Sequence, residues 1–314
     1  MPINHIYVIF LILATTWANL GMAAPEAGNA GVRSHQAAPW PLALREDMTR
    51  LGAIEWRLRQ AAADLCPAKS AAIGLRIDHI GAYGERDRPM VSQLLGLSQA
   101  PQVAVVVAGS PGDLAGIRPG DELLAIGGEA VARIAAAGPD ADLLADAIEK
   151  RLAAAPAGMR IDLVIRRKGE ELRFAVEPKM LCATRYVLKT GSAKHAYTDG
   201  SEVAIPVALI RFAASDDELA LIAGHELGHI VHRDGKPASL AQRRDMEDRA
   251  DATGAALAHC AGYDVGLARR IWERYARGQL PRLLRKATHR PAAGRAARLE
   301  HLRTRLTCPV TLAS

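Results

Sequence analysis

Residues 215–235 read SDDELALIAGHELGHIVHRDG, and this stretch decides what the C-terminal half of the chain must be. Ser215 followed three residues later by Glu218 is a capping box, so a helix starts there. The apolar run behind it sustains the helix, and Asp234-Gly235 ends it. His225 and His229 then stand at i and i+4 on one face, where both imidazoles can reach a single cation. Glu226 sits beside them, placed to take a proton from a water. Two histidines are an incomplete set, because a catalytic zinc site uses three protein ligands and keeps one position open. The pattern therefore predicts a helical domain with a third ligand elsewhere in the chain.

A second helical pattern, RRDMEDRADATGAALAHCAGYD, follows at residues 243–264. Within it Glu247 and Asp251 are four residues apart, on one face. HELGH followed by ExxAD and then AGYD resembles metallopeptidase family 48, which includes the CAAX prenyl endopeptidases, the HtpX heat-shock peptidases and the Oma-type mitochondrial peptidases. The resemblance implies one Zn²⁺ per chain held by His225, His229 and Glu247, with Glu226 as the acid and base of peptide hydrolysis and Asp251 hydrogen-bonding a ligand histidine. Two further segments carry it outward. HAYTDGSEVAIP, residues 195–206, is similar to the family's strand before the active-site helix, an edge that aligns substrate backbone. Thr288-His289 and Arg295 match the family's THPxxxxR segment, with Arg290 where proline is usual. By resemblance His289 contacts the tetrahedral intermediate and Arg295 braces the site. Neutral imidazoles are required for ligation, so activity is expected to fall at acid pH. His232, His259 and His301 belong to no ligand pattern.

The N-terminal half changes period. Met48, Leu51, Ile54, Leu58 and Leu65 recur at helical spacing, and short apolar strands follow at residues 73–77, 102–107, 122–128, 160–167 and 172–176. One helix interrupts them at 140–154, with Leu143, Leu144, Ile148 and Leu152 on one face. GSPGDLAGIRPGDELLAIGGEAV, residues 109–131, resembles a PDZ domain of the bacterial type. Such a domain adds an extended peptide to a sheet edge and holds its terminal carboxylate on backbone N–H groups. By resemblance Ile73, Gly74 and Leu75 form the carboxylate loop, and the long excursion at 81–100 is expected to alter or cover the groove.

The 314 residues are 49% hydrophobic and 24% charged, which excludes collagen-like, coiled-coil and wholly disordered chains. Of the net charge of +6, the basic excess is confined to residues 265–314, where 12 Arg and Lys face two Glu. Arg and Lys interspersed with Leu and Ala there read as a solvated helical face, not a nucleic-acid site. The uncharged apolar run Ile6 to Trp17, followed by Gly21-Met22-Ala23, reads as a secretory signal peptide. Export to the periplasm follows from it, with an uncleaved signal anchor as the alternative. After cleavage no segment is long and apolar enough to span a bilayer. Four cysteines in an exported chain allow three pairings; Cys66 with Cys182 and Cys260 with Cys308 would each close one domain, while four buried thiols remain the other reading.

The expected architecture is α+β. It comprises a signal peptide (1–23), a flexible linker (24–40), an amphipathic helix (41–66), a β-rich PDZ-like domain (67–180) and a mainly helical gluzincin-type zinc metallopeptidase domain with a small sheet (181–314). The expected function is zinc-dependent endopeptidase action on exported proteins or peptides, in envelope quality control, with a C-terminal peptide in the PDZ-like groove. The alternative is a peptide-binding or chaperone-like module whose zinc site is structural.

Overall fold

A computed structural model describes residues 38–138, 140–190, 195–277 and 289–311. The signal peptide, the linker up to residue 37 and Thr288 lie outside the described residues. Helix α1 (Trp40–Ala61) opens the described fold with Pro41 in its first turn, where a missing N–H costs nothing. It ends five residues before Cys66, and the irregular turn that follows delivers Cys66 to Cys182 as a disulfide. Leu51, Ile54 and Leu58 of α1 are buried in the core of the C-terminal helices, not in that of the β-rich unit next in sequence. Covering this apolar face is what holds α1 in place.

The β-rich unit begins with β1 (Lys69–Ala72), paired antiparallel with β8 (Lys179–Cys182). The continuous strand expected at 73–77 is broken. Gly74 takes φ 76°, and β2 starts only at Leu75 (Leu75–Asp78). A side chain at 74 would also meet Ser110 Cβ at 2.2 Å, so glycine is required there twice over. The 81–100 excursion carries its own helix, α2 (Arg88–Leu95), whose Val91 packs with Ile80 and Leu97 in a separate small cluster. Then come β3 (Gln102–Val106), α3 (Pro111–Leu114), β4 (Glu122–Ile126), β5 (Glu129–Ala130) and α4 (Val131–Ala136). Helix α5 (Leu144–Ala153), β6 (Ile161–Arg167) and β7 (Glu170–Val176) complete the unit. The sheet order is β2-β3-β4-β6-β7, with β5 folded back on β4. Leu144, Ile148 and Leu152 of α5 enter its core; Leu143, expected on that face, precedes the regular helix and is 47% exposed.

The C-terminal unit holds a three-stranded sheet, β9 (Arg185–Lys189), β10 (Tyr197–Thr198) and β11 (Glu202–Pro206), in the order β10-β11-β9. The strand expected as an exposed edge, β11, is paired on both sides, parallel to β9 and antiparallel to β10. The edge on the side of the 195–200 turn is the two-residue β10 instead. The helices are α6 (Val207–Phe212), α7 (Asp216–Val231), α8 (Leu240–Cys260), α9 (Val265–Ala268), α10 (Arg270–Arg277) and α11 (Ala292–Arg303). A second disulfide, Cys260–Cys308, ties the end of α8 to the C-terminal segment, so both bridges follow the expected pairing. No helix among the described residues is long and apolar enough to cross a membrane.

Candidate metal centre

Helix α7 is buried on nearly every side, as its continuous apolar composition requires. Its start is fixed by Ser215 Oγ, which accepts the Glu218 N–H at 3.3 Å, and by the Glu218 carboxylate, which accepts the Ala214 N–H at 2.7 Å and pairs with Arg274. One turn before its end, the rings of His225 and His229 stand edge to face, 4.8 Å apart and at 88°. Helix α8, capped by Ser239 Oγ on the Gln242 N–H, crosses α7 at glycines. A Cβ on Gly254 would lie 2.5 Å from the His225 nitrogen, and one on Gly224 2.8 Å from the Gly254 carbonyl oxygen. This close approach lets side chains as short as Glu247 and Asp251 reach across to the histidines.

Glu247 Oε2 lies 3.2 Å from His225 Nε2 and 3.6 Å from His229 Nε2. Donors about 2.0–2.1 Å from a tetrahedral zinc are separated by roughly 3.4 Å, so the three atoms fit one such ion. Glu247 Oε2 is buried and accepts no well-angled hydrogen bond, which is costly for a carboxylate oxygen unless a cation is its partner. Two nitrogens and one oxygen, all within 4.8 Å of one another, could hold a metal ion and match the two-histidine, one-carboxylate donor set that catalytic zinc sites use.

Each donor is aimed by a second charged group. Asp251 Oδ1 lies 2.9 Å from His225 Nδ1, and the Asp251 carboxylate is gripped by Arg295, whose guanidinium carbon stands over Trp272 at 3.6 Å from the ring centroid. Asp234 Oδ2 lies 2.8 Å from His229 Nδ1 and is held by Arg249 through its other oxygen at 2.7 Å. Arg243 donates to Glu247 Oε1 at 2.9 Å, which leaves Oε2 to face the imidazoles. The carboxylates of Glu247 and Asp251 are thereby held in their charged form. Burial opposes charge on Glu247, but the three imidazoles of His225, His229 and His289 outweigh it and push its pKa well below the carboxylate range. Burial also opposes charge on Asp251, and His225 and Arg295 outweigh it in the same way. Burial disfavours the His225 cation, yet Asp251 and Glu247 raise its pKa to about 9. His229 is likewise raised against burial, by Glu247 and Asp234.

Glu226 is buried next to His225 and has no hydrogen-bond or ion-pair partner among the described residues. His289 Nε2 comes within 2.8 Å of Glu247 Oε2 while its side chain stays 40% exposed, which places it beside the His225, His229 and Glu247 group. His232 turns away and shares a 2.8 Å hydrogen bond with Thr253. Asp234, Arg243 and Trp272 were not foreseen. Asp234 reaches back because Arg233 takes φ 54°, a left-handed turn that folds the chain over the last turn of α7.

Residues 164–242 match Peptidase family M48, and residues 102–167 match the PDZ domain family. The chain thus carries a segment similar to PDZ domains followed by one similar to M48 peptidases. A comparison with curated proteins finds no match. Two solved structures of an HtrA-type protease, AlgW with decapeptide and a variant of it with decapeptide, are each 20% identical over 36% of this chain, with TM-scores of 0.27 and 0.25. The chain spans 30% and 29% of their lengths. The M48 match includes His225, Glu226 and His229 and ends at residue 242, before Glu247, Asp251, His289 and Arg295.

Ile73 and Gly74, between β1 and β2, and Leu75, the first residue of β2, line a cavity of about 310 Å³ together with residues of α1, α5 and β9. The Ile73 carbonyl accepts the Gly112 N–H and the Gly74 carbonyl accepts the Val107 N–H, each at 2.8 Å, which pins the loop to the strands behind it.

Proposed function

We propose that this chain is a zinc-dependent endopeptidase acting on exported proteins, with His225, His229 and Glu247 as the metal ligands. The observation that carries the reading is the convergence of the buried Glu247 Oε2 on His225 Nε2 at 3.2 Å and His229 Nε2 at 3.6 Å, a carboxylate oxygen and two imidazole nitrogens in reach of one ion. A zinc ion held there supplies Lewis-acid polarisation of a carbonyl and acidifies a water. Glu226 accepts the water proton at its carboxylate and returns it to the leaving amine, a double role open to it because no other described residue engages that carboxylate. His289 offers Nε2 from the exposed side, where it can donate to the developing oxyanion. Asp251 with Arg295, and Asp234 with Arg249, keep Nδ1 protonated on each ligand histidine so that Nε2 presents its lone pair. The β10 edge, Tyr197–Thr198, has ladder groups free to align an extended substrate.

The two disulfides support an oxidising compartment, and the apolar N-terminal run supports export to the periplasm and a role in envelope protein quality control. The PDZ domain supplies recognition or regulation through a peptide carboxylate on the Ile73–Gly74–Leu75 loop. The test is casein cleavage by the purified chain, with zinc content measured in parallel. Glu226→Gln should keep its zinc and lose hydrolysis by about 10²–10⁴-fold. Full activity in that variant rules the mechanism out, and a zinc-loaded parent that cleaves nothing favours the peptide-holding alternative.

A further inference from the structure

Strand β2 is the outer strand of the PDZ sheet, and α5 runs beside it to form the other wall of the groove. An added peptide strand would need the outward N–H groups of β2, which alternate and therefore fall at Leu75 and Ile77. One is already taken. Glu149, on α5, accepts the Ile77 N–H at Oε1 (3.0 Å) and holds Arg76 Nη1 at Oε2 (3.0 Å). A side chain of the groove's own wall thus occupies the position of a ligand backbone carbonyl.

The same carboxylate is one node of a buried ionic array that joins the PDZ and M48 units. Arg76 also pairs with Glu55 of α1 and donates to the Tyr186 carbonyl of β9 at 2.6 Å. Arg185 of β9 pairs with Asp146 of α5 at 2.5 Å and with Glu202 of β11 at 2.8 Å, and lies 3.6 Å from Glu149. Withdrawing Glu149 would strip a half-buried guanidinium of one of its two carboxylates, so whatever displaces it must bring an anion. A peptide's terminal carboxylate meets that need at the cavity beside the Ile73–Leu75 loop. Lys150 borders the cavity and has no ion-pair partner among the described residues. Ile73, Leu75 and Leu152 line it with aliphatic surface, which suits a small aliphatic last residue.

We propose that Glu149 is a latch on the PDZ groove, standing in for a bound strand at Ile77 and Arg76 and displaced by peptides that end in a small aliphatic residue with a free carboxylate. This rests on the peptide-binding reading of the PDZ domain and is independent of the hydrolytic one. The test uses the full chain carrying Glu226→Gln, so that no probe is cut. The probe is a fluorescein-labelled octapeptide pool ending in Val, as free acid and as C-terminal amide, read by anisotropy. Adding Glu149→Ala should tighten the acid pool at least tenfold over the Glu149 parent and leave the amide pool weak. Glu149→Gln keeps an acceptor for the Ile77 N–H without the charge and should fall between the two. If Glu149→Ala melts early, Glu149→Gln alone decides, with at least threefold tightening expected. Equal affinity with and without Glu149, or an amide that binds as tightly as the acid, overturns the latch. Absence of hydrolysis by the parent would overturn the peptidase reading and leave this result standing.

Discussion

Gly254→Ala tests whether the metal centre depends on how closely α7 and α8 approach. A methyl group there would stand 2.5 Å from the His225 nitrogen and 2.7 Å from the Gly224 carbonyl carbon and the His225 Cα, all backbone atoms that cannot swing aside. Ordinary heavy-atom contact needs roughly 3.5 Å, so the helices must part by about 1 Å at the turn that carries His225. Helix propensity alone would make this substitution stabilising by about 1 kcal/mol. Overpacking of a closed contact costs about 1–3 kcal/mol, so the net change should be a loss. Glu247 and Asp251 ride on α8, and their separation from His225 grows with the gap. A displacement near 1 Å at a reacting site costs on the order of 10²-fold in rate, and zinc affinity should fall with it. The assay is thermal melting together with zinc competition against a chelator and casein turnover. Gly294→Ala is the control, because a Cβ there meets nothing within 4 Å and sits beside Arg295 in α11; it should be neutral or slightly stabilising. If Gly254→Ala melts and binds zinc like the parent, the close-packing argument is wrong.

Asp234→Asn removes the charge that orients His229 and leaves Arg249 without its partner; zinc affinity should drop by about 10–100-fold, and a chelator competition curve that overlays the parent's contradicts the assignment. In chelator-treated protein the pH dependence has a defined sign. His225, raised from 6.5 to about 9, contributes stability that is complete below pH 6.5 and lost as pH rises through about 9. Glu247 and Asp251, lowered from 4.5 and 3.8, contribute stability that is complete above about pH 4.5 and lost on acidification. Melting temperature should therefore be highest between about pH 4.5 and 6.5, and a steady rise from pH 6.5 to 9 would refute the charge pairing.

What could be read from the sequence, and what could not, divides along a physical line. His225 with His229, and Glu247 with Asp251, are pairs on single helices, and a period of 3.6 residues writes such pairs directly into the spacing. The start of α7 is legible for the same reason, since Ser215 and Glu218 lie three residues apart, whereas α8 begins at Leu240, ahead of the pattern at 243–264. Contacts between elements leave no such trace. The β11 strand looks like an edge until β9, in parallel register from Arg185 to Lys189, covers its far side. Glu149 reads as one more charge on an amphipathic helix, although its partner is the backbone of Ile77, 72 residues earlier. Asp251 and Asp234 make the contrast sharpest, because each lies within hydrogen-bond distance of Nδ1 of one of the two α7 histidines. The role of Asp251 is implied by the ExxAD resemblance, and its place one turn beyond Glu247 on a continuing helix agrees with it. Asp234 was missed because its reach to His229 depends on a left-handed residue, Arg233, a type that turn rules do not favour in that conformation. The enforced turn at Arg233 implies that holding Asp234 against His229 outweighs the strain of order 1–2 kcal/mol that a non-glycine residue pays there.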